Sequence, residues 1–184
     1  MKKAFTLAEV LITLGIVGVV ASVTIPTLIK NYNKKVIENK LKLGYTTYVN
    51  AIKLSEIDNG PINEWDSAIK GKEYWTRYMA DYFKGAKLCK NSKDCGYQNI
   101  NSLEFTGHNY GIITSEDRIL FALPNNIVIF RVFDDSNFHF YMDVNGPKRP
   151  NKLGEDVLTF KAVNNPKILT PWSNNAIKIL QNKY

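Results

Sequence analysis

At 184 residues, with 24 Lys+Arg against 17 Asp+Glu, the chain carries a formal charge of +7 and is long enough for one domain with an appendage. Its 45% apolar and 22% charged residues exclude a disordered or collagen-like chain, and 11 Gly and 7 Pro exclude a low-complexity linker. Two Cys supply neither a dense disulfide scaffold nor a four-ligand zinc site, and a slightly negative mean hydropathy excludes a multi-span membrane protein.

The apolar residues crowd into the start. Phe5 to Ile29 holds one charged residue, Glu9, and no basic one. As a helix this run would be about 37 Å long, enough to cross a hydrocarbon core of ~30 Å. Three readings compete. The first is a secretory signal peptide, with Lys2 and Lys3 as its basic start, Val19-Val20-Ala21 as its cleavage site and Ser22 as the mature first residue. The second is a plain membrane anchor. The third is a four-residue leader, followed by a helix that stays on the mature chain.

Glu9 favours the third. An acid at a bilayer centre costs on the order of 2.5–3.5 kcal/mol, and neither a signal peptide nor a plain anchor gains anything from it. Removal of residues 1–4 would create an ammonium on Phe5, which lies four residues before Glu9 and so on the same helical face. The first helical turn also favours a negative charge.

Lys2-Lys3-Ala4-Phe5-Thr6-Leu7-Ala8-Glu9, followed by the unbroken apolar stretch, resembles the class III signal and assembly helix of type IV pilins and type II secretion pseudopilins. The resemblance covers about the first thirty residues. It implies cleavage between Ala4 and Phe5 by prepilin peptidase and N-methylation of Phe5. It also implies an assembly role for Glu9, paired with the N-terminal amine of a neighbouring subunit, and a helix kink at Pro26. Gly15 and Gly18 fall where the helix can loosen. Ala4 stands where the family usually has Gly. The implied partners are the peptidase, other copies or related pilins in a filament, the inner-membrane assembly machinery, and membrane lipid before assembly. The implied location is a single-pass inner membrane protein with its head outside the cytoplasm, then a pilus or periplasmic pseudopilus. The cationic residues on both sides of the span do not themselves set that orientation.

Beyond Ile29 the apolar residues thin to a helical stripe, Ile37, Leu41, Tyr45, Tyr48 and Ile52, which Asn59-Gly60-Pro61 ends. One helix is therefore expected from Phe5 to about Ile57. Residues 61–85 carry Trp65, Ile69, Trp75, Tyr78 and Phe83 at mainly helical spacing, with Gly71 as a break point. The period then changes to two over Ile119–Leu123, Ile127–Phe133, Phe138–Val144 and Val157–Val163, which predicts a three- or four-stranded antiparallel sheet. Trp172–Leu180 suggests a short closing helix. The expected fold is α+β and pilin-like, a long N-terminal helix packed against a small antiparallel sheet. Its organisation is a leader (1–4), a transmembrane and assembly helix (5–29), an amphipathic continuation (30–58) and an exported head (59–184).

Cys89 and Cys95 bracket five polar residues and read as a small disulfide loop; a redox pair or a metal site would need different spacing or further ligands. His108 and His139 lie in no catalytic signature, and no nucleophile, base or metal constellation points to an enzyme or a cofactor. Asp143-Val144-Asn145-Gly146 opens a loop closed by Gly154-Glu155-Asp156, which makes Asp143, Asn145 and Asp156 a calcium candidate, as in the head loop of some pseudopilins. Pro147 and Lys148 break the EF-hand pattern, and the competing reading is a rigid turn in which Asp143, Asn145 and Asp156 cap backbone amides and pair with nearby bases. The basic balance leaves nucleic acid as a further partner, although the lysines form no dense run. The sequence thus points to a pilin or pseudopilin subunit. The alternative is a secreted or membrane-anchored soluble binding protein, with DNA among its candidate ligands, carrying an ordinary signal sequence.

Overall fold

The computed structural model describes residues 6–98, 118–133, 138–162 and 169–171. The fold is α+β. Helix α1 runs from Leu7 to Asn59, and the chain divides into two compact units, Met1–Val36 and Ile37–Tyr184, with part of α1 in each. In the first unit every large apolar side chain from Leu7 to Ile29 is open, 43 to 79% exposed. Pro26 sits inside the helix, where it removes one backbone donor.

In the second unit α1 buries Leu41, Gly44, Tyr48, Ala51, Ile52 and Ser55 along one face. The expected stripe is therefore the packed one, with Ile37 and Tyr45 at its margin. The helix ends where the sequence predicts: Gly60 adopts φ +75°, a conformation glycine reaches without strain, and Pro61 cannot continue the helix.

Residues 61–85 differ from expectation. They form a 3-10 turn (Ile62–Glu64), a single α turn, α2 (Gly71–Tyr74), and a π turn (Trp75–Met79), not an extended helix. Gly71 at φ +57° breaks the path, and the aromatic residues pack across turns. Trp65 stacks on Tyr78 at 4.5 Å between centroids and donates its indole N–H to the Gly60 carbonyl at 2.8 Å.

Among the described residues the sheet has six antiparallel strands in sequence order, more than the three or four expected. They are β1 (Lys87–Leu88), β2 (Arg118–Ala122), β3 (Val128–Phe133), β4 (Phe138–Asp143), β5 (Val157–Ala162) and β6 (Leu169–Pro171). The four expected runs are β2 to β5, shifted or shortened by about one residue. The added strands, β1 and β6, are short edges. The predicted helix over 172–180 and His108 lie outside the described residues, as does the side chain of His139.

Register places Phe121, Ile129, Met142 and Leu158 in one cross-strand row, and Ile119, Arg131, Phe140 and Phe160 in the next. Both rows face α1. Tyr48 stacks on Phe140 at 4.3 Å, and a Cβ on Gly44 would meet Met142 Sδ at 2.6 Å, so helix and sheet touch almost backbone to side chain there. Arg131 is 1% exposed in this core, with its guanidinium carbon 4.4 Å from the Tyr74 ring centroid and its charge acting on the phenols of Tyr48 and Tyr74.

The opposite face is not left to solvent. Leu120, Val128 and Phe130 pack with Cys89, Cys95 and Tyr97 in a second cluster. The cystine loop therefore lids the sheet, which explains why β3 reads Val-Ile-Phe without a polar alternate.

Candidate functional site

Two places concentrate polar chemistry, the start of α1 and the joint between the cystine loop and the loop after β4. At the first, Thr6 precedes the helix and Glu9 occupies its first turn. The Glu9 N–H donates to Thr6 Oγ1 at 3.2 Å. In return, Glu9 Oε2 accepts from the Thr6 N–H at 2.8 Å and from its hydroxyl at 2.9 Å. This is a capping box, which satisfies otherwise orphaned donors at a helix start.

The other hydroxyls of the apolar run bond back to the helix. Thr13 donates to the Glu9 and Val10 carbonyls, each at 2.9 Å. Ser22 donates to Val19 at 2.7 Å, Thr24 to Val20 at 2.9 Å and Thr27 to Val23 at 3.3 Å. Polar side chains that close on their own backbone present an apolar exterior, which is what a helix needs away from water. Around Gly15 and Gly18 an added Cβ would meet nothing within 4 Å. Ala4 and Phe5 lie outside the described residues. Sequence reasoning singled out Glu9 but missed Thr6, although Thr6-Leu7-Ala8-Glu9 carries the S/T-x-x-E spacing of a capping box.

At the second place Cys89 and Cys95 are bonded, with Cα atoms 5.5 Å apart. Asp94 braces the loop: its carboxylate accepts from Lys87 Nζ and, at 3.0 Å, from the Lys90 N–H. Tyr97, two residues past the bridge, donates its hydroxyl to Asp143 Oδ2 at 2.6 Å in a buried contact. Burial pushes the Asp143 carboxyl up to about 7, against the opposing Tyr97 hydrogen bond, while the charge of Asp156 raises it further. Burial, with the Asp143 charge, also raises Tyr97.

The three calcium candidates do lie in one loop, where the carboxylate oxygens of Asp143 and Asp156 are engaged by donors and Asn145 Oδ1 accepts no hydrogen bond. Asp143 Oδ1 accepts from the Asn145 N–H at 3.2 Å. Asp156 accepts from the N–H groups of Asn151 at 2.8 Å and Lys152 at 2.6 Å. These contacts are those of an amide-capping turn. Among the described residues no group of three or more His, Cys, Asp or Glu could hold a metal. The bases of the loop do not pair with these acids as a simple turn reading would have it; Lys152 Nζ instead meets Glu155 Oε1 at 2.6 Å.

Residues 27–166 match the model of one family, whose description reads "Family of unknown function (DUF6613)". The match begins near the end of the apolar run and takes in every described strand up to β5. No curated protein and no solved structure matches the chain.

Proposed function

We propose a structural role for this chain, which belongs to the DUF6613 family of unknown function: a pilin or pseudopilin subunit of a type IV pilus or type II secretion filament. The observation that carries the reading is a lone carboxylate, capped by Thr6, at the head of a helix that is long and apolar enough to cross a membrane. Prepilin peptidase cuts between Ala4 and Phe5 and methylates Phe5. The helix rests in the inner membrane with the head outside, then leaves it for a filament of like subunits.

In lipid, helices gain no ordinary hydrophobic drive toward one another, so packing and polar contacts decide their register. Glu9 enters that step with Oε2 already hydrogen-bonded to Thr6 of its own chain. The ammonium on Phe5 of a neighbour supplies a charged donor, which makes a stronger bond than a neutral one. The capping box thus keeps the acid solvated during the wait in lipid, and the intersubunit pair outcompetes it on assembly.

Mass spectrometry of the mature chain tests the processing, and an N-methylated Phe5 is expected at its first position. A mature start at Ser22 would establish an ordinary signal sequence and the secreted binding-protein reading. Substitution Glu9→Leu is expected to leave the head folded and the chain in the membrane while abolishing its recovery in sheared filaments. Undiminished recovery would refute the role given to Glu9.

A further inference from the structure

We infer that the segment of α1 just past its apolar run, Lys30 to Lys35, binds the anionic headgroups of phospholipids, phosphatidylglycerol above all, in the leaflet from which the helix emerges. The run from Leu7 to Ile29 lies in the first compact unit. At about 1.5 Å per residue it covers ~34 Å, slightly more than a hydrocarbon core of ~30 Å. Lys30 to Lys35 continue the same helix without a break and belong to the same unit. They occupy the next ~9 Å, and the polar layer of each leaflet is roughly 5–8 Å deep. The apolar length thus sets three ammonium groups at headgroup depth, and their flexible stems let them follow the phosphates.

Helical spacing brings the cations together. Lys30 and Lys34 stand four residues apart on one face, with their Cβ atoms about 6 Å apart, and Lys35 lies about 100° further round. All six residues from Lys30 to Lys35 are exposed. Tyr32, 68% exposed, is an amphipathic ring at the depth where membrane helices place aromatic anchors. Asn31 and Asn33 add uncharged amide donors. No acid stands between Glu9 and Glu38 in the sequence, and Lys30, Lys34 and Lys35 form no ion pair among the described residues. The charge therefore complements a phosphodiester, and a zwitterionic headgroup, which carries its own cation, gains less from it. Duplex DNA offers the same phosphates, but an apolar span holds this segment at a bilayer surface. The inference rests on the helix staying in the membrane, as the filament reading requires, and not on assembly itself.

The test uses the full chain purified from membranes and reconstituted in phosphatidylcholine bilayers. Trace spin-labelled phosphatidylglycerol or phosphatidylcholine is added, and electron spin resonance reads the lipid immobilised at the protein. One lysine near an anionic surface contributes about fivefold, so wild type should prefer phosphatidylglycerol by at least about fivefold at ~50 mM salt. At ~1 M salt, where the Debye length is about 3 Å, most of that preference should be lost. The triple variant Lys30→Gln, Lys34→Gln, Lys35→Gln should fall below about twofold at low salt. The triple variant Lys53→Gln, Lys84→Gln, Lys93→Gln removes equal charge from exposed sites of the globular unit and should keep the wild-type preference. Unchanged melting midpoints confirm that both variants are folded. Four results would overturn the inference: no preference in wild type, a preference that survives in the first variant, equal losses in the two variants, or displacement of the immobilised phosphatidylglycerol by duplex DNA at equal phosphate. A mature start at Ser22 would instead remove the span, and with it the membrane reading, before any lipid is added.

Discussion

Asp143 should make the globular unit less stable as the pH rises. Its carboxyl is 3% exposed, and burial lifts it from an ordinary value of 3.8 to about 7 in the folded chain. A folded-state value above the unfolded one means that the native chain holds the proton more tightly. Stability from this group is therefore greatest below about pH 4, falls as the pH climbs toward 7, and levels off above it. Between pH 5 and pH 8 the loss is about 2.6 kcal/mol, from ~1.36 kcal/mol per unit. With a urea dependence of about 1–3 kcal/mol per molar, the midpoint should drop by roughly 0.9–2.6 M over that interval. Trp65 and Trp75, both buried, report unfolding by fluorescence in urea titrations of the detergent-solubilised chain. Asp143→Asn keeps one oxygen, enough for either the Tyr97 hydroxyl or the Asn145 N–H, and removes the ionisation; the pH dependence, not the absolute midpoint, is therefore the quantity compared. The variant should lose most of the difference between the two midpoints. If it showed the same pH dependence as wild type, the charge at Asp143 would not be its source, and the account of a buried, proton-holding carboxyl would fail.

Other expectations follow from packing and chain connectivity. Replacing both Cys89 and Cys95 with Ser should lower stability by about 2 kcal/mol, the chain-entropy value for so short a loop, read as a lower thermal midpoint without reductant. Gly146→Ala should destabilise by about 1–3 kcal/mol, because Gly146 sits at φ +63° and its new Cβ would fall on the Asn126 backbone carbonyl, which cannot move aside cheaply. Gly44→Val should cost about 1–3 kcal/mol by overpacking against Met142 and Ile127, with the midpoint again as the measure. Gly44→Ala should cost less, since the Met142 side chain can yield and alanine favours the helix.

The long helix was readable because its signals are local and repeated: an apolar run, a stripe at steps of three and four, and a Gly-Pro stop. What it rests on was half readable. Leu41, Tyr48 and Ile52 announce the buried face, but Gly44, Ala51 and Ser55 also belong to it and carry no hydrophobic signal. The inner strands β2 to β5 were readable from their composition, while β1 has two residues and β6 three, too few to show a period. Aromatic spacing over 61–85 imitated a helix because large rings fill a core from any backbone path, and Gly71 interrupts that path. At the candidate site Glu9 stood out as a charge in an apolar run. Thr6 did not, because a threonine there costs nothing and needs no explanation. Arg131 was hidden for the converse reason: an arginine in a strand reads as surface, and only its aromatic cradle of Tyr48 and Tyr74 shows why it is tolerated inside.

A lid made by a cystine ties the maturation of this domain to redox conditions. While the two thiols remain reduced, the segment over Leu120, Val128 and Phe130 is held only by the β1 pairing and by the Tyr97–Asp143 and Lys87–Asp94 contacts, and the side chains beneath it are more easily uncovered. Oxidation is thus the event that finishes the second face of the sheet. A chain made where thiols stay reduced carries an aggregation hazard until it reaches a compartment that closes the bridge.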